Sequence, residues 1–126
     1  MKFFIKTLFI ISILFAPPIY AEMNCIYPEK VAIPNGATST EEEFMDGYRA
    51  VRKWVENMDE YMDCVDADTK QMIALLKINQ QHTPEAEATI IEHQDKKWNA
   101  AVDDQQKVAE LLNIQVREYK AAQKDN

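Results

Sequence analysis

The sequence predicts an all-α protein: a long antiparallel two-helix hairpin, coiled-coil-like, with an extended N-terminal arm folded back on the first helix and pinned by a disulfide. Three observations lead there. Apolar residues recur at alternating spacings of 4 and 3 from Phe44 onward, glycine and proline almost vanish after Gly36, and cysteines stand at Cys25 and Cys64. The chain divides into a signal peptide over 1–21, an arm over 22–39, and a hairpin over 40–126 with helices at about 40–78 and 84–123.

The opening residues MKFFIKTLFIISILFAPPIYA carry Lys2 and Lys6, then an apolar run from Leu8 to Phe15, then Pro17-Pro18. Ala21 is a small residue at a suitable cut point. This is the pattern of a cleavable secretory signal, with the cut expected after Ala21. As a membrane span the run is too short, since a span needs about 20 apolar residues. No stable membrane anchor is expected after cleavage. Glu22-Met23-Asn24 before Cys25 is not a lipoprotein signature.

Removing 1–21 takes away two lysines and no acid. The mature chain then has 105 residues and a net charge of −9, enough for one small domain. Such a chain repels phosphate backbones, so nucleic acid is not an expected partner. Export, to the periplasm or beyond, places the chain where disulfides persist.

The arm reads NCIYPEKVAIPNGATST over residues 24–40. Pro34-Asn35-Gly36 suits a turn. The first helix starts at Thr38-Ser39-Thr40 followed by Glu41-Glu42-Glu43, with Thr40 and Glu43 as the favoured capping pair. Three acids there also suit the positive end of the helix dipole. Phe44, Tyr48, Val51, Val55, Met58, Met62 and Val65 then form a heptad seam, continued more weakly by Thr69, Met72 and Leu76.

Asn79 to His82 is the connection. Thr83-Pro84-Glu85 supplies a cap, a proline for the first helical position and an acid. The second seam is read through Ile91, Trp98, Val102, Ala109, Leu112, Val116 and Tyr119. Two helices of similar length on a short loop imply an antiparallel hairpin whose facing residues have numbers adding to about 163. Phe44 then faces Tyr119, Val51 faces Leu112, and Val65 faces Trp98.

Cys64 lies about 36 Å along the first helix, and the extended arm reaches about 50 Å. A Cys25–Cys64 bridge is feasible if the arm turns at Ile33-Pro34-Asn35-Gly36 and runs back. Ile26, Tyr27, Val31 and Ile33 would then cover a second apolar stripe holding Trp54 and Tyr61. The other accounting of the two thiols is a free or intermolecular one; the intramolecular bridge is favoured because small exported domains need staples.

The pattern CxxPxxxxIPxG, the acid-rich cap, the stretch NMDEYMDCV over 57–65, and the far end with Asn99-Ala100-Ala101-Val102-Asp103, Asn113 and Val116-Arg117-Glu118-Tyr119-Lys120 resemble a family of small exported helical-hairpin proteins of Gram-negative bacteria. The likeness spans nearly the whole mature chain. It implies export, paired cysteines and a hairpin. No activity is assigned to the family, so it implies no catalytic residue. The chain departs from the family pattern at Trp98, where a smaller or polar residue is expected.

No enzyme is expected, and no catalytic, cofactor-binding or metal-binding residue is assigned. The mature chain has one serine, Ser39, placed in a cap, which leaves no strained nucleophile beside a histidine. Two glycines make no phosphate-cradling loop, and CxxC, CxxCH and Glu-x-x-His are absent. His82 falls in the loop. Glu92, His93 and Asp95 lack ligand spacing and read as a solvated helix face. Asp103-Asp104 reads the same way, and Arg49, Arg52 and Lys53 read as surface partners of Asp46 and Glu56. Gly47 is costly inside a helix and either admits the arm or is a tolerated defect.

The expected function is that of an exported, non-enzymatic helical module acting through protein contacts, with an envelope or secreted protein as partner. A homodimer forming a four-helix bundle is a natural extension. The alternative is a periplasmic small-ligand or metal carrier, which would need a pocket between arm and hairpin.

Overall fold

The computed structural model describes residues 23–124; the expected signal peptide and its cut site lie outside the described residues. Two helices make up the fold, α1 (Glu41–Ile78) and α2 (Pro84–Lys124), of 38 and 41 residues. At 1.5 Å per residue each is about 60 Å long. No strand occurs among the described residues, and α1 packs along α2 as an antiparallel hairpin.

The ends of the helices follow from local chemistry. Thr40 Oγ1 accepts from the Glu43 amide at 3.3 Å, and Glu43 Oε2 accepts from the Thr40 amide at 2.8 Å. Two of the first-turn donors are thereby satisfied. At the other end of α1, the Asn79 amide donates to Leu75, Gln80 to Lys77 and Gln81 to Leu76. Gln80 adopts φ 57°, the left-handed conformation that reverses a chain after a helix. Thr83 opens α2, its hydroxyl accepting from the Ala86 amide at 3.1 Å.

The register is fixed along the hairpin. Phe44 stacks on Tyr119, the Gln105 amide donates to Asp59, and the Gln94 amide donates to Asp68. Their numbers add to 163, 164 and 162, the antiparallel register expected from the sequence.

The core sits between α1, α2 and the arm. Trp54, Met58, Tyr61, Val65 and Ala101 are its centre, with Cys25, Val31, Val55, Met62 and Val108 packed against it. The stripe holding Trp54 and Tyr61 does face the arm. The expected seam of α2 needs correction. Its buried positions are Gln94 and Ala101, whereas Ile91 and Trp98 are 39% and 38% exposed. A tryptophan opposite Val65 would force the helices apart, and Ala101 instead lets the backbones approach. The arm supplies the bulk that α2 does not.

The arm turns over the open end of the hairpin, at its two glycines. A Cβ on Gly36 would lie 1.9 Å from the Gln115 carbonyl oxygen, and one on Gly47 would lie 2.6 Å from Pro34 Cβ. Gly47 is therefore where Pro34 of the arm presses on α1, and Gly36 where the arm presses on α2. Asn35 holds the turn, its side chain accepting from the Ala37 and Thr38 amides.

Candidate functional site

From that corner the arm runs back along the hairpin to Cys25, which is bonded to Cys64 with the α-carbons 5.7 Å apart. Both cysteines of the chain are used, and none is free. Between corner and bridge, Val31 and Ile33 are half-buried and Tyr27 meets Tyr61 edge to face at 4.9 Å. Ile26 does not cover the hairpin as expected; it is 77% exposed. Strand-like alternation explains this, since neighbours in an extended segment point to opposite sides.

The Tyr27 hydroxyl donates to Asp104 Oδ2 at 2.8 Å, tying the arm to α2. Desolvation, and then the Asp104 carboxylate that accepts this proton, push the tyrosine up to about 12. Asp104 is thus committed to the arm, with Lys107 at 3.8 Å, while Asp103 is exposed. The two neighbours do not form an acid/base pair.

Several other charged groups make local surface contacts. Arg49 pairs with Asp46, Lys53 with Glu56 at 3.4 Å, and Lys96 with Glu92 at 2.8 Å. Hydrogen bonding from Lys96 lowers the Glu92 carboxyl. His82 bonds Glu87 across the start of α2 and lowers it in the same way. His93 is exposed. Among the described residues no three of His, Cys, Asp and Glu gather as metal ligands. No described helix is long and apolar enough to cross a membrane.

Several clefts could receive a molecule, one of about 360 Å³ beside the bridge, lined by Asn24, Ile26, Pro28, Asn57, Glu60, Tyr61 and Cys64. The arm borders another of about 250 Å³, lined by Lys30, Val31, Ile33, Trp54, Asp104, Lys107, Val108 and Leu111. On the other face no arm lies over the seam, and two grooves follow it. One of about 310 Å³ runs past Val51, Val55, Ala109 and Leu112, with Arg52, Glu56 and Asp59 along its edge. The next, of about 300 Å³, passes Phe44, Met45, Tyr48, Val116 and Tyr119. Val55, Val102, Leu112 and Val116 are half-buried, and Met45 and Trp98 more exposed. Of the residues read from the sequence as the second seam, Ala109, Leu112, Val116 and Tyr119 line these grooves, and none is among the fully buried residues of α2.

Sequence reasoning missed one polar pair. Asp68 and Gln94 are 1% and 2% exposed, and Gln94 Nε2 donates to Asp68 Oδ2 at 2.5 Å. The signal was present. Asp68 lies seven residues after Tyr61, and Gln94 seven before Ala101, so both occupy heptad core positions. Polar identity hid them.

Compared with family models, curated proteins and solved structures, the chain matches none.

Proposed function

We propose that this chain is an exported, non-enzymatic helical module that works through protein contacts, a member of the small hairpin family it resembles. The observation that carries the reading is the arm-free face. One side of a two-helix hairpin is roofed by a pinned arm, and the other keeps a long apolar row with Trp98 and Met45 at its edge. Contiguous apolar surface rimmed by charge marks a contact site in small proteins. Aromatic and methionine side chains are what such sites use. The disulfide fits a protein working outside the cytoplasm.

A pull-down from the exporting cell tests this. The bridged protein is compared with Trp98→Glu, which adds charge at an exposed position and leaves the core untouched. Recovery of an envelope or secreted protein by the first and not the second supports the reading. Equal recovery by both, or by neither, counts against it.

The carrier reading draws on the arm-side cleft, where Lys30 and Lys107 flank an apolar wall. That chemistry suits a carboxylate on an alkyl tail. Titration with dodecanoate, followed by tryptophan fluorescence, checks it; no change up to millimolar ligand removes it.

A further inference from the structure

Among the described residues, Asp68 is a buried carboxylate with neutral donors only. Its Oδ1 accepts from the Met23 backbone amide at 2.8 Å, and its Oδ2 from Gln94 Nε2 at 2.5 Å. No ion pair among the described residues includes it. Beside it, Gln94 Oε1 is a buried acceptor with no hydrogen-bond partner. A buried carboxylate without a cation, next to an orphan acceptor, is an expensive arrangement. Among the described residues neither group has a positively charged donor, and one such donor would satisfy both.

The arm brings one to this spot. Met23 already touches Asp68, and in any chain the preceding residue's nitrogen lies about 3 Å from a backbone amide by covalent geometry alone. In the uncut chain that nitrogen is a neutral amide with one hydrogen. Hydrolysis after Ala21 adds water across the Ala21–Glu22 amide, leaving a carboxylate on Ala21 and an amine on Glu22, which takes a proton at neutral pH. We propose that Asp68 and Gln94 are the receptor for the chain's own processed N-terminus, the α-ammonium of Glu22 donating to the Asp68 carboxylate and to Gln94 Oε1. Signal removal then completes the fold. The arm is held by this ion pair at its start, by the Cys25–Cys64 bond two residues after Met23, and by the glycine corner at its end. The proposal rests on the expected cut after Ala21 and is independent of the protein-contact reading.

The test uses the full chain, sent through the export route and purified after processing. Intact mass gives the cut site. The new α-amine is then acetylated with limiting N-hydroxysuccinimide acetate at pH 7, with the lysines as internal standard. Wild type is compared with Asp68→Asn and with a chain carrying Ser-Gly-Ser inserted between Ala21 and Glu22. The insertion keeps Asp68 and moves the amine away, so it remains informative if Asp68→Asn does not fold. Wild type should label about tenfold more slowly than the inserted chain, the change expected when a neighbouring carboxylate holds the proton on the amine by one pKa unit. Equal labelling of wild type and inserted chain overturns the proposal, as does a mass placing the cut anywhere but before Glu22.

Discussion

The Gly36 amide donates to Gln115 Oε1 at 2.7 Å, and the Gly36 α-carbon sits against the backbone of the same glutamine. Residues far apart in sequence are thereby locked at the open end of the hairpin. The site has no room for a methyl group, because the obstruction is backbone rather than a movable side chain. Gly36→Ala is expected to destabilise by about 3 kcal/mol, the upper end for overpacking. Urea unfolding of the bridged protein measures it; a change below about 0.5 kcal/mol would show that the corner moves aside freely.

Gly47 makes a sharper case, because two effects oppose. Alanine gains about 1 kcal/mol in helix propensity. It also places a Cβ 2.6 Å from Pro34 Cβ, inside van der Waals contact with a stiff ring. The clash should win, and Gly47→Ala should lower the melting temperature. A rise would mean that the arm yields to the helix.

The bridge joins Cys25 and Cys64, which are 39 positions apart. Its removal should cost about 4 kcal/mol in the chain-entropy account. Two helices with few fully buried α2 side chains have little reserve. Reduction, or Cys25→Ser with Cys64→Ser, should therefore bring a large loss of thermal stability, read by circular dichroism with and without reductant.

Tyr27 gives a pH signature at the alkaline end. Its hydroxyl is pushed up to about 12 in the fold, from an ordinary value near 10. The folded state then keeps the proton longer than the unfolded state. The stabilisation is fully present below pH 10 and is lost as pH rises from 10 towards 12. Wild type should lose stability over that window faster than Tyr27→Phe; parallel pH profiles would refute the link to Asp104.

Gln80 ends α1 with φ 57°, where a side chain is strained and glycine is not. Gln80→Gly should stabilise by up to about 1 kcal/mol in thermal or urea unfolding. No gain would mean that the greater freedom of the unfolded glycine cancels the relief.

Much of this was legible in the residues because it is local or periodic. The capping box at Thr40 and Glu43, the start at Thr83-Pro84 and the antiparallel register each depend on a few neighbouring positions or on one repeat length. The bridge was legible too, because reach and spacing bound it. Ile91 and Trp98 were misplaced for a physical reason. A heptad of apolar residues says that a helix has a face, but not which neighbour will cover it. With an arm present, the buried positions lie three residues further on, at Gln94 and Ala101.

The sequence by itself determined two long helices, their ends, their antiparallel register and a thiol pair within reach. These follow from hydrogen-bonding chemistry and periodicity, which act along the chain. Only the tertiary structure decided which side of the hairpin the arm roofs, and so which apolar row is left open. It alone buried Asp68 beside Gln94 and put both glycines under one corner. Those outcomes depend on how three segments distant in sequence share one small core, and no single segment carries that information.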